Sequence, residues 1–495
     1  MKVLLVYPEC PVTFWSFKYA LRFVNKRSNL PPLGILTVAA MLPKEWELKL
    51  IDLNVEALKD KDILWSDMVF ISAMNIQSQS ARQVIDRCKR LDKKTVAGGP
   101  LFTMETKKYD DVDHLLLYEG ESCIPQFLSD LEKGELKHIY AEQSFPELDH
   151  TPIPRWDLLK RNKYAMLSLQ YSRGCPFNCE FCNIVSLFGR SPRTKSTEQF
   201  LSELNAIYDI GWRGGVFFVD DNFIGNKVKL KQEVLPAMIA WMKERSYPFT
   251  FFTEVSINLS DDEELMDLMA EAGFDNVFIG IETVDEECLN ECAKQQNQKR
   301  DLLECVKTIQ QHGMQVQGGF ILGFDNEKTS IFKQMSSFIQ NSGIITAMVG
   351  ILSAPTGTRL YERMKKEKRL VSEFSGVNTE AATNIITVMD RDTLMHGYNT
   401  VLNTIYSPAN YYRRVATFLE NYRPRNYHKE KLTLAEIWAF IKANFLLGIV
   451  SSGRLQYWKL LNWTRKERPE LFSRAVAFSI YGYHFWKCVP KEEPV

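Results

Sequence analysis

Histidine is scarce in this chain, seven residues in 495, and none falls between His150 and His312. A local imidazole ligand for a metal is therefore excluded over that stretch. Neither sign of charge is in excess, because 61 Lys and Arg balance 61 Asp and Glu. A net charge of zero gives no electrostatic footprint for nucleic acid. The first apolar run ends at once in Pro8 and Glu9, which excludes a signal-peptide layout. No repeat of solenoid length and no low-complexity tract occurs. Ten Cys in so long a chain, three of them clustered, do not make a secreted disulfide framework, and the reading is a cytoplasmic protein. Hydrophobic residues at 45% and charged residues at 25% suffice for more than one core. The length suggests about three domains at ~150 residues each.

What is present is concentrated in Arg173–Cys182, which reads R-G-C-P-F-N-C-E-F-C. It spaces Cys175, Cys179 and Cys182 as C-x3-C-x2-C. Thiolates are the ligands selected by soft metals and iron–sulfur clusters, and three of them within eight residues can wrap one face of a cluster. A four-iron cluster with three protein ligands keeps one iron open for a substrate. The competing reading is a zinc site, which normally takes four ligands, and the Cys or His candidates for a fourth lie far away in sequence.

This stretch resembles the cluster motif of the radical S-adenosylmethionine enzymes. Extended through Gly174–Cys182 and Phe188-Gly189-Arg190-Ser191-Pro192-Arg193, it is similar to the cobalamin-domain branch that includes hopanoid C-methylases and bacteriochlorophyll side-chain methylases. The resemblance implies a 4Fe-4S cluster on the three cysteines, S-adenosyl-L-methionine chelated by the open iron, and cobalamin as methyl donor. It implies reductive cleavage to a 5′-deoxyadenosyl radical, hydrogen abstraction from an unactivated carbon, and methylation of that carbon.

The fold class is α/β. Residues 1–145 alternate strands (Lys2–Val6, Leu48–Leu53, Met68–Ser72, Lys94–Ala97, Asp113–Tyr118) with helices (Pro32–Leu42, Ser80–Leu91, Ile124–Glu132). That alternation predicts a doubly wound, Rossmann-like parallel sheet whose ligand site lies at the carboxyl ends of the strands. The turns there carry Asp52, Asn54, Ser72, Gly98 and Gly99 as candidate cobalamin contacts, with the glycines allowing backbone to approach a planar ligand. The usual corrinoid motif is Asp-x-His-x-x-Gly, and Asn54 stands where it has His, so no imidazole is available as a lower cobalt ligand. Two readings stay open: a cobalamin domain without that His, as in other members of the branch, or a bare doubly wound domain that has lost its ligand.

A proline-rich linker, 146–163, precedes a second alternating region over 164–370. Six strands, Tyr164–Ser172, Gly215–Val219, Phe249–Glu254, Asn276–Glu282, Gln315–Leu322 and Ala347–Ser353, predict a partial (β/α)6 barrel with function at the strand ends. Asp220, Asp221 and Asn222 end the second strand, where the resemblance places contacts to the S-adenosylmethionine amino group. Glu254 ends the third and Glu282 the fourth, the latter suited to a ribose diol. Gly318, Gly319 and Leu322 belong to a fifth-strand motif that, by the resemblance, packs on the adenine, beside which Phe181 of the cluster loop also lies. Each acid taken alone is equally well a solvated loop residue or a cap. Cys288 and Cys292 share a helix face and are either buried small residues or a redox or metal pair. The basic segment Phe188–Lys195 is either an anion anchor or a solvated turn.

Residues 371–495 read as a helical extension. Tyr406–Arg414 carries the branch's C-terminal pattern. Leu434–Val450 is strongly apolar yet interrupted by Glu436, Lys442 and Asn444, and is short for a bilayer span. With four Trp between Trp438 and Trp486, this region is either a helical cap filling its own core or a surface for a membrane or a lipid-like substrate. The resulting expectation is a radical S-adenosylmethionine enzyme, a cobalamin-dependent C-methyltransferase acting on a hydrophobic small molecule. Its electron donor would be a flavodoxin or ferredoxin, with a peripheral membrane contact and no nucleic acid. The alternatives are a radical cyclase, oxidase or rearrangement enzyme with a vestigial first domain, or a corrinoid or iron–sulfur sensor without turnover.

Overall fold

The computed structural model describes residues 1–142, 145–377, 382–425 and 433–489. Two six-stranded parallel sheets organise the molecule. The first is built from β1 (Lys2–Tyr7), β2 (Glu47–Asp52), β3 (Met68–Ser72), β4 (Lys94–Gly98), β5 (His114–Leu117) and β6 (Ile139–Ala141), in the order β2-β1-β3-β4-β5-β6. All its pairs are parallel. The switch in order beside β1 is where a doubly wound sheet opens a crevice at its carboxyl edge. The inner strands are continuous apolar runs because helices cover both faces. β6 is an addition to the sequence reading. It has three residues with only Tyr140 buried, so a short edge strand leaves little apolar pattern to find.

The second sheet comprises β7 (Leu167–Leu169), β10 (Gly214–Phe218), β11 (Phe249–Glu254), β12 (Phe274–Glu282), β13 (Gln315–Leu322) and β14 (Ala347–Ile351), in the order β14-β13-β12-β11-β10-β7. Neighbours follow the chain, as a parallel half-barrel requires, with helices on its outer side. The apolar run Tyr164–Ser172 is not one strand. It breaks after Leu169, and Ser172–Arg173 (β8) turns away to pair antiparallel with Arg193–Thr194 (β9). That break frees the cluster loop from the sheet. Helix boundaries follow the caps: Ser196 Oγ accepts from Gln199 N–H at 3.3 Å to start Thr197–Asp209, and Gly273 at φ 107° ends Glu263–Ala272.

The C-terminal helices Arg391–Ile405, Pro408–Asn421, Leu434–Phe445, Arg454–Glu467 and Phe472–Cys488 pack beside the second sheet. Arg414 is fully buried there between the Tyr406 and Tyr411 rings, each 5.4 Å away, and its guanidinium donates to the carbonyl of Ile405 at 2.7 Å. Among the described residues no helix is long and apolar enough to cross a membrane.

Candidate active site

The cluster loop leaves β8 through Gly174, whose φ of 93° and three surrounding carbonyls (Ser191, Gly189 and Phe188, 3.0–3.1 Å from where a Cβ would stand) admit only glycine. Cys175 N–H then donates to Gly189 O at 3.3 Å. A carboxylate holds each step of this entry. Asp220 accepts from Tyr171 N–H (3.0 Å) and from the backbone and hydroxyl of Ser172, and Asp221 accepts from Gly174 N–H (2.9 Å). The far side is clamped by the helix Arg359–Lys366. Arg363 makes a two-point bond to Glu180 (2.8 and 2.9 Å) and also reaches Asp325, while Leu360 N–H donates to Glu180 O. Cys175, Cys179 and Cys182 sit in a loop fixed at both ends.

Burial pushes the Cys182 thiol up to about 12 and raises Cys175 as well. Bare thiolates are not stable here without a cation, and a metal supplies one. Lys294 faces the same loop. It pairs with Glu282 at 2.7 Å and interacts electrostatically with Cys175, Cys179 and Cys182, while Gln296 Nε2 approaches Cys179 Sγ at 3.8 Å. Among the described residues no three His, Cys, Asp or Glu side chains converge as ligands of a single ion. Thiolates that each take a different iron of a cluster need no such convergence. The donor set therefore fits a cluster.

The strand-end acids come together around one interior. Burial, reinforced by Asp221 and Asp220, pushes Glu254 up to about 8. Burial raises Asp220 to about 7 and Asp221 to about 6. Glu282 occupies the left-handed region at φ 64°, just past an irregularity in the β12–β13 register, a strained conformation of the kind stored at functional sites. A Cβ on Gly280 would strike the Glu282 carboxylate and Lys294 Nζ, so glycine there keeps the pair in place. Carboxylates crowded without enough counter-charge form a site that a cationic ligand discharges, which is how an amino group or a sulfonium would be received. Asn222 instead accepts from Ser256 N–H at 3.1 Å and ties two strand ends. Gly318 and Gly319 leave room for the Phe320 and Phe278 rings, and Leu322 is fully buried. Phe181 packs on a small core that contains Cys288 and Cys292, both buried.

A cavity of about 710 Å³ separates the carboxyl edge of the first sheet from the interior of the second. Ser72, Gly98 and Gly99 line it from above, and Gln170, Phe217 and Asp221 from below. Gly99 has φ 97° and a Cβ there would lie 3.0 Å from Ala73 O, so the turn stays low and presents backbone to the cavity. Asn54 also borders it, but its amide is engaged: it accepts from Cys10 N–H (2.9 Å) and donates to Asp52 (2.7 Å) and Pro8 O (3.2 Å). Asp52 in turn accepts from the Tyr164 hydroxyl at 2.8 Å. No His lines the cavity among the described residues. A broad planar ligand lying on backbone and small side chains, without a protein imidazole beneath it, fits these walls.

Sequence reasoning missed the seam between the sheets. Arg173 donates to Glu119 (2.5 Å) and to both oxygens of Glu121 (2.8 and 3.0 Å); Arg193 donates to Glu119 (2.5 and 3.1 Å) and to Pro146 O (2.7 Å). Arg193 thus neutralises a protein carboxylate and is no solvated turn residue. Lys294 was missed as well. Its signal, one lysine in the polar stretch Ala293–Gln298, is too common to notice.

Comparison with known proteins speaks to the family and the fold. Residues 22–128 match the B12 binding domain, 169–339 the radical SAM superfamily, and 358–493 a domain of unknown function. An uncharacterized methyltransferase of Synechocystis sp. is 39% identical over 98% of this chain and 91% of its own length. The hopanoid C-2 methylase of Rhodopseudomonas palustris is 31% identical over 92% and 88%. Among solved structures, the cobalamin-dependent S-adenosylmethionine radical enzyme OxsB superposes with a TM-score of 0.61 at 16% identity, covering 99% of this chain and 84% of that one. The radical S-adenosylmethionine methyltransferase TsrM of Kitasatospora setae gives 0.60 at 15%, covering 94% and 99%.

Proposed function

The chain belongs to the cobalamin-dependent radical S-adenosylmethionine methyltransferases, and from that premise we propose a C-methyltransferase for an unactivated carbon of a hydrophobic small molecule. An isoprenoid or tetrapyrrole-like skeleton is the substrate class, in keeping with the hopanoid and bacteriochlorophyllide methylases among the relatives. The observation that carries this reading is the cavity itself, which joins the corrinoid-type strand edge to Asp221 at a barrel strand end and to Arg173, the residue that opens the cysteine loop, and is walled mostly by apolar surface.

In this reading Cys175, Cys179 and Cys182 hold the 4Fe-4S cluster. Asp221 and Glu254 receive the cationic end of S-adenosyl-L-methionine, Glu282 grips its ribose, and Gly319 and Phe181 border the adenine, while Gly318 and Leu322 face the core side of the same strand beside Phe320. Ser72, Gly98 and Gly99 lie against the corrin, while Asp52, Asn54, Asp220 and Asn222 hold the turns that carry the contact residues. When bound, the cluster and S-adenosylmethionine supply hydrogen-abstracting radical chemistry, and cobalamin supplies the methyl group. The chain orients the substrate between the two sheets, excludes water and leaves Asp221 and Glu254 without a cation of their own among the described residues. The partners are the hydrophobic substrate, an electron donor such as flavodoxin or ferredoxin, and a membrane surface touched peripherally by the C-terminal helices.

The test is anaerobic reconstitution with iron, sulfide and hydroxocobalamin, followed by dithionite and S-adenosylmethionine. Retained corrinoid and released 5′-deoxyadenosine are expected, and Cys179→Ala abolishes the release. Cleavage without corrinoid retention would overturn the methyltransferase assignment.

A further inference from the structure

The helix Leu434–Phe445 and its continuation Leu446–Val450 turn an apolar face outward. Leu434, Trp438, Ile441, Phe445 and Ile449 follow one another at three- and four-residue steps, each at least half exposed, and Leu455 of the next helix extends the patch. Isolated exposed apolar residues are ordinary, whereas a continuous stripe of this length marks a contact surface. The polar residues that interrupt the run in sequence leave the face clear. Glu436 is engaged in a capping box with Thr433, and Asn444 accepts from the Tyr457 hydroxyl at 2.8 Å. Lys442 lies exposed at the edge of the face, its ammonium 3.4 Å from the carbonyl of Arg22.

We propose that this face rests on an anionic lipid bilayer, which the protein touches without crossing. Charge selects this occupant. Residues 434–467 carry five Lys and Arg against two Glu. Exposed Lys442, Arg454 and Lys459 flank the apolar stripe, the placement that lets apolar groups enter the acyl boundary while cations meet headgroup phosphates. A second copy packed on this face about a two-fold axis would set these cations against one another, with few acids to answer them. Trp438 and the half-exposed Trp458, whose indole N–H donates to Gly448 O at 2.9 Å, place amphipathic rings at the rim. Position adds a second argument. Through Lys442 the face abuts Arg22, and the chain from there to Arg27 and Ser28 reaches the wall of the cavity. Docking would set the cavity beside the bilayer, where a hydrophobic substrate resides, and in this respect the inference rests on the function proposed above.

Vesicle flotation tests it without turnover. The intact chain is expected to float with vesicles of phosphatidylcholine and phosphatidylglycerol, and weakly with phosphatidylcholine alone. The triple variant Trp438→Ser, Ile441→Ser, Phe445→Ser loses binding on the order of tenfold or more, and Lys442→Glu with Lys459→Glu removes the dependence on anionic lipid. Should the triple variant fail to match the parent in thermal unfolding, Ile449→Gln with Leu455→Gln takes its place. Equal flotation of parent and variants overturns the proposal. So does absence of flotation by the parent, including the case in which sedimentation shows a dimer that the triple variant dissolves. If flotation succeeds while reconstituted protein releases no 5′-deoxyadenosine, the enzymatic reading fails and the docking surface stands.

Discussion

The seam formed by Glu119, Glu121, Arg173 and Arg193 offers the sharpest test of how the two sheets are held in register. Glu119 is 2% exposed and accepts from both arginines, while Arg173 retains Glu121 if Glu119 is neutralised. Glu119→Gln therefore leaves chiefly Arg193 without its carboxylate. Breaking a buried pair by removing one partner costs about 3–5 kcal/mol, and the surviving Arg173–Glu121 pair places this variant near the lower end, ~3 kcal/mol. Adding Arg193→Met removes the orphaned charge, so the double variant should recover ~1–2 kcal/mol of the loss. Urea unfolding followed by tryptophan fluorescence reads both, taking the first transition because the chain is larger than a two-state domain. Acid should find the same seam. Burial opposes ionisation of Glu121, but Arg173 outweighs it and holds the carboxyl below its ordinary range. A depressed carboxyl contributes stability above its unfolded pKa of about 4.3, and that contribution is lost as pH falls through the folded value. A cost of Glu119→Gln below ~1 kcal/mol, or a double variant as unstable as the sum of its singles, would refute the argument.

Three further outcomes follow from the site. Lys294→Gln keeps a donor for Glu282 but removes a positive charge beside the cluster thiols. The midpoint potential of the reconstituted cluster should fall on the order of 50–100 mV in a spectroscopic redox titration, and an unchanged potential would place Lys294 outside the electrostatic reach of the cluster. Gly174→Ala must fit a Cβ among three carbonyls at positive φ and should lower iron content per chain after reconstitution; Gly134→Ala, with similar φ and open space, is the control that leaves iron unchanged. Glu327, buried and accepting from Gly323 N–H at 2.5 Å, has its carboxyl pushed up to about 8, first by burial. A raised carboxyl lends stability below its unfolded pKa that is lost as pH rises through the folded one. Glu327→Gln should therefore flatten the decline between about pH 4.5 and 8 and gain on the order of 1–3 kcal/mol at the upper end; equal slopes for parent and variant would contradict this.

What the sequence disclosed and what it hid divide along a physical line. Properties carried by consecutive residues were readable. The alternation of apolar runs with amphipathic helices foretold two parallel sheets, because burying strands on both faces demands unbroken Val, Leu, Ile and Phe. The thiol spacing singled out the loop Arg173–Cys182, because three candidate ligands on one loop need no tertiary partner to be recognised. Polar residues at strand ends were readable as a set, since parallel strands must all finish on one edge. Pairings between distant segments were not. Glu119 and Arg193 lie 74 positions apart, and neither neighbourhood hints at the other. Arg363 reaches Glu180 across 183 positions. The same limit governed Leu434–Val450, where composition favoured a helical cap filling its own core over a surface for a membrane or a lipid-like substrate. Only the tertiary position of Ala439, Ala443 and Leu447 against the body, with Trp438, Ile441 and Phe445 turned away, decides between them. A small-residue face packed inward and a large apolar face left outward is the reverse of ordinary burial. A helix that leaves Trp438, Ile441 and Phe445 uncovered is built to have something else cover them.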